Sequence, residues 1–173
     1  MDSILWTALS RVHGIAIKRL LALYNATVSV SGLRSHVTRE ILGRKLFDEI
    51  NNTGYIEQLI DDTIQYVEDL KKKDIEVISY LDANYPHLLK KIPDPPAVIY
   101  CKGNLKTLCI GKRVAVVGTR WPTERGIRQA ERISADFVEM GCVIVSGLAR
   151  GIDTAAHNGA LNSGGMTIAV LPG

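Results

Sequence analysis

Two short glycine–arginine turns carry most of the chemistry this chain can offer. The first, Gly118-Thr119-Arg120, follows the β-branched run Val114-Ala115-Val116-Val117. The second, Ser146-Gly147-Leu148-Ala149-Arg150-Gly151, follows Val143-Ile144-Val145. Each reads as a strand, a turn and a helix start, the layout in which unpaired helix N–H groups and a positive dipole end face an anion. Gly118 and Gly147 permit close approaches that a Cβ would obstruct. Thr119, Thr123 and Ser146 supply hydroxyls that can donate to phosphate oxygens or cap a helix. Arg120 and Arg150 each offer a planar fork suited to phosphate. The pair of turns therefore points to a site for phosphate groups.

Other readings of the same residues stand beside this one. Glycine after a strand of this kind is common with no ligand at all. Arg120 can pair with Glu124, and Arg150 with Asp153. Asp153 and His157, four residues apart, share a helix face. They form either an acid–base pair or, the reading favoured here, a helix cap and a histidine packed beneath the turn. Trp121 can stack on a nucleobase or cover the sheet edge. No third group completes a nucleophile set, and no carboxylate pair or metal-ligand cluster is apparent, so no catalytic residue, metal or cofactor is assigned. Gly118-Thr119-Arg120-Trp121 lacks the second and third glycines of a dinucleotide fingerprint, and no P-loop is present.

The elements that position these turns follow from periodicity. Residues 1–70 read as helical: Leu5, Leu9 and Val12, then Ile17, Leu20, Leu21 and Tyr24, recur at helix spacing around His13-Gly14. A turn is expected at Ser29–Gly32, one amphipathic stretch over Ile41–Ile50, and a longer helix from Ile56 to Leu70. That helix ends in Lys71-Lys72-Lys73, which read as a solvated end suited to the dipole. Trp6 is expected in the core. The period changes near Asp74, where the domain boundary is placed, giving domains 1–70 and 71–173. Strands are expected at 75–78 and 98–101, separated by a Pro-rich connection. From Lys112 strands (113–117, 143–145, 167–171) alternate with helices (123–140, 152–162). That alternation implies an α/β, Rossmann-like parallel sheet preceded by a small all-α domain.

Charge is unevenly distributed along the chain. The net charge is +3. Residues 1–101 hold twelve basic and thirteen acidic side chains, whereas residues 102–173 hold nine and five, so the surplus lies with the glycine turns. Such a bias favours anionic partners. The apolar fraction of 46% is that of a folded protein, and the longest apolar runs are too short to span a bilayer. Met1–Trp6 lacks the basic start of a secretory signal. Cys101, Cys109 and Cys142 have no CxxC spacing, which favours reduced thiols and a cytoplasmic protein over a disulfide framework or zinc site.

Several segments resemble one family. VAVVGTR (Val114–Arg120), SGLARGIDTAAH (Ser146–His157), Ala160-Leu161 and Gly164–Leu171 are similar to the DprA/Smf DNA-processing proteins, and SGxAxGID-xx-AH is the specific part. Tyr85-Pro86, Pro95-Pro96 and Val98–Gly103 match the family's entry to its Rossmann-like domain. The first helices resemble its small helical domain, SAM-like, with a degenerate helix-hairpin-helix at Val12-His13-Gly14-Ile15-Ala16. Ala16 stands where a second glycine would serve DNA contacts, so a packing role is expected there. The resemblance implies a cytoplasmic, non-catalytic protein that binds single-stranded DNA during natural transformation and recombination. It further implies help in loading a RecA-type recombinase, a homodimer, and no membrane association. Phosphate contacts are implied at Gly118, Thr119 and Arg120 and along Ser146, Gly147, Ala149, Arg150 and Gly151. Family domains normally continue for several more strands and helices, so the sheet here is expected to be truncated, C-terminally incomplete, with open apolar surface on 152–162 and 167–171. Two alternatives belong to other classes. One is a phosphoribohydrolase of the "lonely guy" type, whose PGGxGTxxE motif can be followed here only to Pro172-Gly173. The other is a nucleotide-sensing module.

Overall fold

Apolar residues at helical spacing build the first unit of the computed structural model, which describes residues 1–26 and 29–172. Helices α1 (Ser3–Ser10) and α2 (Ile17–Ala26) flank a turn in which Gly14 sits at φ +88°. Asp2 caps α1 by accepting from the Leu5 amide at 2.8 Å. The Ser29–Gly32 turn leads into a 3-10 helix, Ser31–Arg34. The single amphipathic stretch expected over 41–50 is two helices, α3 (His36–Leu42) and α4 (Arg44–Ile50). Gly43, at φ +78°, breaks them apart in a conformation that favours glycine. Helix α5 (Tyr55–Lys71) ends as expected, with Lys72 exposed and paired to Asp69 at 2.8 Å. This bond holds the Asp69 carboxyl below its ordinary value.

Trp6 is fully buried at the centre of this unit, among Leu9, Leu20, Leu23, Leu33 and Ile50. Strands β1 (Ile75–Ser79) and β2 (Val98–Lys102) pair antiparallel, with Ile75 opposite Lys102 and Ser79 opposite Val98. They join the helices rather than the later sheet. The Trp6 indole donates to the Ala97 carbonyl at 2.8 Å and stacks on Tyr80 at 5.8 Å, and the Ser3 hydroxyl donates to Asp82. The chain accordingly divides into compact units at Met1–Gly103 and Asn104–Gly173, whereas the change of period alone placed a boundary near residue 70.

The second unit alternates β3 (Arg113–Ala115), α6 (Glu124–Glu139), β4 (Val143–Ser146), α7 (Ile152–Asn162) and β5 (Thr167–Ala169). Its strands form a parallel sheet in the order β3-β4-β5, with Ala115, Val145 and Ile168 in register. Strand β3 is shorter than the apolar run 113–117, although the Val116 amide still donates to Val145 at 3.0 Å before the chain turns away. Ile144, Ala156 and Ala160 form the core, with Val114, Val116, Phe137 and Val138 packed around them. The helices meet closely at Gly159, where a Cβ would lie 2.3 Å from the Glu131 carbonyl oxygen. Leu161, Met166, Val170 and Leu171 are exposed.

Candidate nucleic-acid interface

Parallel strands deliver their loops at one sheet edge, where open α/β folds bind ligands. Both glycine–arginine turns leave the sheet there, after β3 and β4. They are fastened to each other. The Ile152 amide, at the start of α7, donates to the Thr119 carbonyl at 3.2 Å. Gly151, at φ +90° and ψ −126°, lies so close that a Cβ there would stand 2.3 Å from the Thr119 oxygen and 2.9 Å from the Arg120 backbone. A Cβ on Gly118 would meet the Ile152 side chain at 2.8 Å. Gly118 and Gly151 are therefore required by contact.

Asp153 completes the fastening. Its buried carboxylate accepts from the Gly147 amide at 3.1 Å through Oδ2 and from the Gly118 amide at 3.4 Å through Oδ1. Asp153 does not cap its own helix: the N-cap of α7 is Gly151, which makes no side-chain cap. The expected cap is instead a bridge between the turns. Sequence reasoning missed this role, whose only trace is an acid in the first helical turn two residues after a glycine.

The amides of Gly118 and Gly147 are thus spent on an internal anion. Ser146 is likewise drawn inward: it is buried, and its hydroxyl donates to the Val116 carbonyl at 2.7 Å. Thr123 caps α6 by accepting from the Gly126 amide at 3.1 Å, the second of its two expected roles. Thr119 Oγ1 accepts from the Trp121 amide at 3.1 Å. The Ala149 carbonyl accepts from Thr154, from the amide at 3.2 Å and from the hydroxyl at 2.7 Å.

The arginines behave differently. Arg120 and Arg150 are exposed, and among the described residues neither forms an ion pair. The two structural pairings open in the sequence are both taken elsewhere: Glu124 pairs with Arg128 at 3.4 Å, and Asp153 binds amides. Beside them Trp121 is 83% exposed and Leu148 is 56% exposed. Leu148 also holds a left-handed backbone at φ +56°, a conformation that disfavours a side chain of its kind. Neither its conformation nor its exposure was legible in the sequence.

His157 lies below the turns and is buried. The Thr167 hydroxyl donates to the Ile144 carbonyl at 2.9 Å, so it must accept from His157 Nδ1, 2.6 Å away. This places the proton on Nδ1 and leaves Nε2 buried with no partner. Burial pushes the His157 pKa below its ordinary value, against the opposing pull of Asp153. Asp153 and His157 are thus a bridge and a packed histidine, each with its own partners, and not an acid–base pair. Among the described residues no cluster of His, Cys, Asp or Glu could hold a metal, and no helix is long and apolar enough to cross a membrane.

Comparison with known proteins agrees with the resemblance. The chain is 36% identical over 174 residues to the Smf protein of Synechocystis, covering 96% of this chain and 43% of the relative. It is 36% identical over 118 residues to DprA of Bacillus subtilis, covering 68% and 40%, and 50% identical over 93 residues to DprA of Streptococcus pneumoniae, covering 54% and 32%. It spans less than half the length of these curated relatives. The crystal structure of Streptococcus pneumoniae DprA matches 99% of this chain and 58% of its own, with a TM-score of 0.66 at 29% identity. A model of the family described as DNA recombination-mediator protein A matches residues 76–173, which include both turns, Asp153 and His157. The chain therefore belongs to the DNA recombination-mediator protein A family.

Proposed function

We propose that this chain binds single-stranded DNA through the edge formed by its two arginine turns, as a DNA-processing protein acting in recombination and natural transformation. The observation that carries the reading is the exposure of Arg120 and Arg150, unpaired, on turns that Asp153 and Gly151 lock together. Rigid placement of the two turns that carry the forks lowers the entropy cost when they engage phosphates. Thr119 and Thr123 stand exposed beside Arg120 and extend the same edge. Gly118, Ser146, Gly147, Ala149 and Gly151 serve as the frame that aims the arginines.

The reading is one of binding without turnover. It is supported by the buried, partnered state of Asp153 and His157, each held by its own hydrogen bonds. Help in loading a RecA-type recombinase, the homodimer and a cytoplasmic location come with family membership and form part of the proposal.

The test is a fluorescence-anisotropy titration with single- and double-stranded oligonucleotides at two salt concentrations. Arg120→Ala and Arg150→Ala should each weaken single-strand binding and flatten the slope of log affinity against log salt by about 0.7 for each phosphate no longer neutralised. Unchanged titrations for both variants, with unchanged folding, would overturn the assignment. Release of free base from nucleoside monophosphates would overturn the non-enzymatic reading.

A further inference from the structure

Trp121 is the most exposed large apolar side chain among the described residues, and nothing in its own unit covers it. Its backbone is nevertheless firmly placed. Its amide donates to Thr119 Oγ1 at 3.1 Å, Pro122 follows it, and Thr123 caps the next helix. An indole fixed at its base and bare at its ring is unlike a side chain packed over a sheet edge. Arg120 precedes it, and Arg125, in the first turn of the following helix, is exposed and forms no ion pair among the described residues. The neighbouring turn adds the exposed Leu148, held outward by a strained backbone.

We infer that Trp121 is a stacking platform for an unpaired nucleobase, with Leu148 a second apolar contact on the adjoining turn. This inference rests on the proposed nucleic-acid interface and specifies how it tells single from double strands. An arginine fork engages phosphates of either form, so the arginines alone discriminate weakly. An indole face is open only to a base freed from its duplex partner, because every base in a duplex is already stacked and paired. Base–aromatic stacking tolerates any sequence, since each base has a π-face. The surface thus suits a single strand of mixed sequence, phosphates on the arginines and bases on the apolar residues.

Three oligomers separate the contributions: a single-stranded oligonucleotide, an abasic strand of equal length and charge, and the matching duplex. Trp121→Ala should weaken binding of the single strand by about 5- to 150-fold, the range for one stacked base. It should leave the abasic strand unchanged. Trp121→Phe should recover much of the loss. The indole itself reports contact: Trp6 is fully buried, so the quenching difference between the wild-type chain and Trp121→Phe belongs to Trp121. Quenching by the oligonucleotide but not by the abasic strand is expected. Single-strand binding that is the same in wild type and Trp121→Ala, without quenching, would overturn the stacking role and leave the arginine interface standing. Absence of binding to all three oligomers would overturn both.

Discussion

Replacing Gly151 with alanine tests whether the two turns work as one object. Gly151 holds φ +90° and ψ −126°, outside the regions open to alanine, which costs about 1–3 kcal/mol. The added methyl would stand 2.3 Å from the Thr119 oxygen, against an ordinary contact near 3.5 Å, so the turns must part by about 1 Å. Parting them breaks the 3.2 Å bond from the Ile152 amide to the same oxygen, a further cost of about 0.5–1.5 kcal/mol. The sum is about 1.5–4.5 kcal/mol. In a unit as small as Asn104–Gly173, each kcal/mol lowers the Tm by about 4–8 °C. Gly164→Ala is the matched control: its φ is +72°, yet nothing lies within 4 Å of its Cβ position. It carries only the backbone cost of about 1 kcal/mol. Thermal unfolding followed by circular dichroism should therefore place Gly151→Ala at least about 2 °C below Gly164→Ala. At temperatures where both remain folded, only Gly151→Ala should weaken binding of a single-stranded oligonucleotide. Equal Tm values and equal affinities would refute the picture of two turns held in contact.

Asp153→Asn gives opposite signs for two readings. A carboxamide has one accepting oxygen for two amides and turns its NH2 toward the other, so stability should fall by about 1–3 kcal/mol in denaturant titration. Removing a negative charge near the proposed phosphate site would by itself tighten DNA binding; loosening of the turns should weaken it, and tighter binding would show that the bridge does not position the arginines. His157 makes stability pH-dependent: its folded pKa lies below 6.5, so the unfolded chain binds the proton first. Stability should be full above pH 6.5 and decline as pH falls below it, with a flatter Tm-against-pH curve for His157→Asn; parallel curves would remove His157 as the cause.

Parts of this arrangement were legible because local rules decide them. The β-branched runs before Gly118 and Gly147 specify strands and turns without tertiary help. Trp6 followed from its place on a helix. Gly43 was visible as a residue but not as a break, because only its φ of +78° shows that the chain reverses there. The first unit extends to Gly103 because Trp6 bonds to Ala97, a partner far along the chain that periodicity does not reveal. Asp153 is the sharpest case. Its spacing to Gly147 lies within one loop, whereas its bond to Gly118 exists only once β3 and β4 pair. Reading it as a cap was right about its demand for amides and wrong about which amides.

That distinction changes what the site is. A helix N-terminus with open amides would seize a phosphate by its backbone and fix it at one position. Here a carboxylate built into the chain already occupies the Gly118 and Gly147 amides, so in the proposed interface recognition passes to side chains that project from the turns. Long guanidinium arms can follow a flexible phosphate backbone through several spacings, and an indole accepts whichever base lies over it. An internal anion that stiffens the frame while leaving the contacts adaptable is suited to a strand of any sequence. It is poorly suited to one small nucleotide, for which the open amides would have been the better ligand.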